Sequence, residues 1–475
     1  MQKYSLTISR IATKANIDRT LLSKVLSGSR TLNSPTFQNL LSALELTLYE
    51  EETLTELYAS SYFGDKKYAK IIILRKFLQN EIHLQRKLYR LNAAPGIEED
   101  FGEDMYLNIN SQSDFYDAVN KLLNSEMKAS APILYTNYSF DTSPLNRQIL
   151  SFLSSCEKTV DFKHLICFRA ADRISNDLVH FLDSLSFARL GYETHYYISG
   201  ETVHNFDSIF PYYIIATSGM IFYNESATIG IAMKAKEFKN KYRDEFSKKI
   251  GLCRLVAKIL RSPDEVRDFC LPYCTNFHKM QSVSNRLSLY ITDETLSLLK
   301  YDKSNEQITD YLCTLCDINS HLLLDLNYHD IILYKDAVTD FVRTGVIHGI
   351  NPNFDIYVAE EDRDSFLLYI LDYIEQKNMS FRITSDKMNR LSREIMITVI
   401  RSETYKNDVF FTNLPASDDA YDTGYSVLAA CNYSIIDDYS NFIEYLKLFS
   451  YTENTDTSIN YLKSQITFLQ KMYSA

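Results

Sequence analysis

The stretch ISRIATKANIDRTLLSKVLSG, residues 8–28, holds two short helical patterns separated only by Asn16, Ile17 and Asp18. This spacing constrains the fold more than any other feature of the chain. So short a break turns the backbone sharply, and Asn is one of the few residues besides glycine that tolerate the left-handed conformation the turn needs. Ile8 and Ile11 point inward from the first helix, Ala15 closes it, and Ile17, Leu22 and Val25 are the inward positions of the turn and the second helix. Ala12 falls where the helices meet, and its small side chain lets them cross at close range. Asp18 is placed to cap the second helix. That helix then turns Arg19, Thr20, Ser23, Lys24 and Ser27 outward, at offsets that share one surface. All five are polar.

The next segments are helical as well. Ser34 is read as an N-cap with Pro35 at the first helical position, and Leu40, Leu41 and Leu44 supply an apolar stripe. In YEEETLTELYASSYFG the acids Glu50, Glu51 and Glu52 suit the first turn of a helix that Gly64 ends.

This arrangement resembles the helix-turn-helix of phage repressors and of the large XRE/Cro-type family of bacterial regulators. The likeness continues through LSGSRTLNSPTFQNLLSALELT, with its small residue and Gly, basic loop, Pro and Leu-rich helix, and covers residues 6–60. The resemblance implies double-stranded DNA binding. Carried over by position, Arg19, Thr20, Ser23 and Lys24 face base edges, while Ser27, Ser29 and Arg30 meet phosphate; Arg reads guanine and Thr can meet a thymine methyl. Asn16 stands where the family usually has Gly. Seven residues precede the first motif helix, where the family has a full helix, so either the domain leans on the linker for that wall or the recorded start is internal. A plain helical hairpin docked on the body is the competing reading, and it leaves the aligned polar face and basic loop unexplained.

Charge agrees with a DNA-binding front end. The chain carries −11 overall, but residues 1–94 hold 14 Lys+Arg against 8 Asp+Glu, leaving 36 against 53 in the remainder. Phosphate contacts need local rather than global positive charge. Residues 68–91 place Ile71, Leu74, Leu78, Ile82, Leu88 and Leu91 at near-heptad spacing before Ala93-Ala94-Pro95-Gly96 stops the pattern. This linker helix either docks on the body or joins two copies. Its basic residues, Lys76, Lys87 and Arg90 among them, could hold DNA phosphate or the acidic body, and a switch between the two would couple an effector to DNA affinity.

After Pro95 strands alternate with helical stretches, which argues an α/β body. Candidate strands are PILYTNY, HLICFRA, ETHYYIS, PYYIIAT and ATIGIAM, then RLSLYIT, HLLLDLN, FDIYVAE, SFRITSD, EIMITVI, DVFFTNL and YSVLAAC. The expected fold is therefore multidomain, with a small all-α helix-turn-helix head at 1–64, a long linker helix at 65–94, and mixed α/β modules at 95–275 and 276–475. Two strand-then-helix segments, IGIAMKAKEFKNKYRDEFSK and SVLAACNYSIIDDYSNFIEYLK, close their modules with the same rhythm and leave a degenerate duplication open.

Other chemistry finds less support. The chain holds no Walker A run, GxGxxG, HExxH or GxSxG, and its 12 glycines are too few to favour a phosphate-cradling loop. Cys313 and Cys316, with Cys270, Cys274 and His278, have ligand-like spacing but read better as buried apolar positions, so no metal is expected. His204–Asp207 and the segment ending at Asp330 are acid–histidine pairs without a nucleophile, read as surface polar loops. Tyr196, Tyr197, Tyr212 and Tyr213 could line a pocket but are ordinary strand residues by type.

No apolar run is long enough for a membrane span and the N-terminus lacks a signal-peptide core, so a cytoplasmic protein is expected. The composite expectation is a cytoplasmic transcription regulator of bacterial type: no catalytic residues, no cofactor, a homodimer on DNA, and a body that takes a small-molecule effector or mediates assembly. The alternatives are an enzyme acting on a nucleotide or sugar with the head used for localisation, and a protein-interaction adaptor.

Overall fold

A computed structural model describes residues 7–88, 106–137, 143–169, 176–199, 210–234, 236–260, 262, 264–265, 267–269, 277–324, 328–348, 354–377, 379–390, 397–402, 409–413, 427–430, 433–449 and 451–474. The head opens with α1 (Ile8–Lys14) and α2 (Arg19–Leu26), joined through Asn16 at φ 52°. Asp18 caps α2 by accepting from the Leu21 amide at 3.0 Å. In α3 (Ser34–Ala43) the cap is Asn33, not Ser34: the Asn33 side chain accepts from the Thr36 amide at 3.0 Å, and Ser34 is already helical. An amide oxygen at that position satisfies the first-turn donor as well as a serine hydroxyl would. Then comes α4 (Leu48–Phe63), whose Thr47 and Glu50 cap each other reciprocally and whose end is Gly64 at φ 77°. Ile11, Ala12, Ala15, Leu22, Phe37 and Leu40 are buried together. Tyr58 closes this small core, stacking on Phe37 at 3.9 Å and donating to the Leu32 carbonyl at 3.0 Å.

Two sheets form the body. The first contains β1 (Tyr106–Ile109), β2 (Ile133–Asn137), β3 (Asp161–Arg169), β4 (Thr194–Ser199), β5 (Tyr212–Ala216), β6 (Met220–Tyr223), β7 (Gly230–Met233) and β8 (Arg254–Leu255), in the order β1-β7-β6-β5-β2-β3-β4-β8. The second contains β9 (Lys258–Leu260), β10 (Phe277–Ser284), β12 (Tyr328–Leu333), β14 (Ser380–Ile383), β15 (Ile397–Ser402), β16 (Val409–Asn413) and β17 (Val427–Ala430), in the order β14-β12-β10-β15-β16-β17-β9. A small ribbon pairs β11 (Leu299–Lys300) with β13 (Tyr357–Val358).

The two sheets share one topology. In each, three parallel strands (β2, β3, β4 and β10, β12, β14) are followed by three antiparallel ones (β5, β6, β7 and β15, β16, β17), and the strand entered first (β1 or β9) lies beyond them at the edge. A helix comes next, Lys236–Ile250 in the first module and Tyr433–Leu448 in the second. Even the last pairing recurs: β8 lies beside β4, and Thr452 bridges Thr384 just after β14. The repeated strand-then-helix rhythm is thus a repeated topology. The second sheet already takes its edge strand from residues 258–260, ahead of the boundary placed near 275.

Two strand expectations are overturned. RLSLYIT forms a 3-10 turn at Leu287–Tyr290, and the start of HLLLDLN ends the helix Glu306–Leu324. Both are short apolar runs whose length and composition do not separate a buried helix from a strand.

The linker helix α5 (Asp65–Leu88) docks on the body over its first half. Ile71 and Leu74 are fully buried. Lys70 reaches both oxygens of Asp438, at 2.7 and 2.9 Å, and Arg75 donates to the Tyr445 hydroxyl at 3.3 Å. The head lies on the same helix, Tyr433–Leu448. Gln38 donates to the Leu448 carbonyl at 2.8 Å, satisfying an acceptor that a helix end leaves open. Tyr58 meets Phe449 edge-on at 5.8 Å, and Lys387 pairs with Glu51. The wall expected from the linker therefore comes from the linker and the helix Tyr433–Leu448 together. Lys76 is exposed, the Lys87 side chain is outside the described set, and Arg90 and Leu91 lie outside the described residues.

Candidate nucleic-acid interface

Arg19, Thr20, Ser23, Lys24, Ser27, Ser29 and Arg30 are all exposed. The first four and Ser27 occupy or adjoin α2, whose opposite side buries Leu22 at 1% exposure. Head-to-body contacts run through α3 and α4, so docking leaves the outward face of α2 open. The Leu21 amide holds the Asp18 carboxyl below the usual carboxylate range, and the resulting negative charge suits a helix N-terminus.

The loop after α2 is more tightly specified than its exposure suggests. Gly28 adopts φ 72°, the Ser29 amide returns to the Lys24 carbonyl at 2.9 Å, and the hydroxyls of Ser27 and Ser29 lie 2.9 Å from that same oxygen and from each other. These hydroxyls cap the helix end. To donate to a phosphate, either would first give up this arrangement, whereas among the described residues no hydrogen bond holds the side chains of Arg19, Ser23, Lys24 and Arg30. Leu26 was not anticipated. It lies seven residues beyond Arg19 on the outward side and is 53% exposed. Its apolar type directs sequence reasoning to the core, although an apolar side chain there is suited to a thymine methyl.

The other candidates disperse. Cys313 is exposed while Cys316 is buried, which corrects the assignment of both to a buried face, and burial pushes the Cys316 thiol up to about 12. Cys270 and Cys274 lie outside the described residues, as do His204 to Asp207. Among the described residues no group of three or more His, Cys, Asp or Glu is placed to hold a metal ion. Asp330 is not in a surface loop. It lies in β12, fully buried. Tyr196 and Tyr213 are buried, and Tyr197 and Tyr212 half-buried, within their strands. Among the described residues no helix is long and apolar enough to cross a membrane.

No family model and no curated protein matches the chain. Among solved structures, the archaeal chromatin protein TrmBL2, whose structure shows a mode of DNA binding, aligns over 53% of this chain and 88% of its own at 11% identity and a TM-score of 0.25.

Proposed function

We propose that the protein is a sequence-specific DNA-binding transcription regulator, with α2 as the recognition helix and the duplicated α/β body as its sensor or assembly module. One observation carries this reading: a capped helix, crossed closely by its neighbour, presents Arg19, Thr20, Ser23 and Lys24 together and uncovered while its other side is buried. A hairpin that served only for docking would put its exposed face where the body is, whereas docking here uses other helices. Two heads reading half-sites a helical turn apart fit such a surface, since one head spans too few base pairs for useful specificity.

Selection from a random DNA pool with the purified protein tests the reading. A recovered motif, bound about tenfold or more weakly by Arg19→Ala and by Lys24→Ala with circular dichroism unchanged, is the expected result. A lost base contact of this kind costs about 1–3 kcal/mol. Arg30→Ala is expected to weaken binding across sequences and to lower the salt slope by about one. A pool that yields no motif, or affinities unchanged in both helix variants, removes the assignment.

A further inference from the structure

Among the described residues the two body sheets end in four edge strands, β1, β8, β9 and β14. A sheet edge is a row of unpaired amides and carbonyls that another strand can join unless charge, brevity or a covering element prevents it. Three of the four edges are blunted in these ways. β8 is only two residues long and carries the exposed Arg254. β9 carries the exposed Lys258 and lies against the helix Asn176–Arg189. β14 carries Arg382, and the chain closes over its end: the Glu453 amide donates to the Ile383 carbonyl at 2.9 Å, the Ile383 amide donates to the Ser458 hydroxyl at 2.9 Å, and Thr452 bridges Thr384.

The fourth edge, β1, has none of these protections. Its sequence YLNI holds neither a charge nor a proline, it pairs with β7 over all four residues, and among the described residues nothing pairs with its other side. Ile109 is buried, but Tyr106 is 57% and Leu107 43% exposed. Neighbouring residues of a strand point to opposite faces, so this one edge leaves apolar surface on both sides of the sheet. Ile229, next to the Gly230 that pairs with Ile109, adds a third exposed apolar side chain.

Charge selects the occupant. β8, β9 and β14 would each bring a cation against its own copy, whereas two β1 strands meet without like charges. Antiparallel pairing of an edge with itself is also two-fold and closed, so it stops at two chains. We infer that β1 is an interface for a second copy of this chain, pairing antiparallel with its equivalent and joining two eight-stranded sheets into one. Main-chain hydrogen bonds hold the seam, and Tyr106 and Leu107 leave water on its two faces. With strands this short, a two-fold pair sets the two Leu107 side chains opposite or diagonal to each other, within reach of long side chains. The same seam would give the proposed regulator its two heads. That consequence rests on the DNA-binding reading; the seam does not.

Sedimentation of the full chain without DNA tests the interface. The wild-type chain is expected as a dimer, and Leu107→Lys and Leu107→Glu each as a single chain with circular dichroism unchanged, because a charge on an exposed edge position is tolerated in the monomer but faces its own copy in the pair. Mixed in equal amounts, the two variants should recover the two-chain particle, since Lys then meets Glu. Leu252→Lys puts the same charge on a residue 83% exposed near β8, at the opposite end of the sheet, and should remain dimeric. A monomeric wild type, Leu107 variants that stay dimeric, or a mixture that stays monomeric overturns the interface. The Arg19→Ala, Lys24→Ala double variant is expected to dimerise as the wild type does, so failure of the recognition-helix assignment leaves this result unaffected.

Discussion

Residues of this chain differ in how far away their partners lie, from the Asp18 cap on the Leu21 amide to the pair of Asp330 with Lys447. Asn16 and Asp18 could be placed from the sequence because their roles are local: a left-handed turn and a first-turn cap are satisfied within three residues. Asp330 could not, since its partner Lys447 is 117 positions away and nothing in either neighbourhood announces the pairing. His195 belongs to the same hidden class. Its Nδ1 is buried without a hydrogen-bond partner among the described residues, and burial, with Lys163 adding to it and Glu193 opposing, depresses its basicity below the usual 6.5. The fold therefore prefers the neutral ring, while the unfolded chain takes its proton near 6.5. Its contribution is fully present above that pH and is lost as pH falls through 6.5 toward the lower folded value. A thermal-melting series from pH 8 to 5 should show stability falling below about pH 6.5, with a shallower fall in His195→Gln. Identical profiles would remove His195 as the cause.

At the scale of elements, the head helices and most strands were legible because their periodicity or β-branched content is strong. The errors fell on apolar runs such as RLSLYIT and HLLLDLN, where tertiary packing decided between states that local pattern leaves equal, and on β6, β10 and β12, which no candidate strand covered. Heptad-like spacing in α5 likewise could not say what its apolar side faces. The docked half gives the answer: α5 packs on the helix Tyr433–Leu448, Ile71 and Leu74 are fully buried, and Lys70 meets Asp438. Leu74→Ala should cost about 2–5 kcal/mol, as for a large core truncation. It should also speed amide exchange in α3 and α4, whose clamp depends on the same helix. Exchange that stays at wild-type rates in a destabilised Leu74→Ala protein would show that α5 docking and head docking are independent.

On the scale of the whole molecule, the duplicated topology was only half visible, since the two closing segments share rhythm without identity. The strand order makes the relation plain because hydrogen-bonding geometry repeats where side chains do not. The repeats also differ in what covers them. In the second module the closing helix lies under the linker and head, whereas its counterpart Lys236–Ile250 leaves Phe238 and Tyr242 exposed. The proposed dimer is checked here as well: light scattering should report two chains per particle on DNA, and a single chain both free and bound would exclude half-site reading.

Two modules of one topology in a single chain also bear on how it is made. Each has an edge strand that enters before the rest of its sheet, β1 or β9, and finds its place beyond β7 or β17 only after more than 100 further residues have been added. During synthesis β9 emerges long before its partner β17, beside a first sheet whose equivalent strand β7 is the partner of β1. Inter-module misassembly is the characteristic failure of such chains. The divergence between the closing segments, which obscured the duplication, is then a safeguard: strands that no longer resemble one another are poor substitutes in each other's sheet.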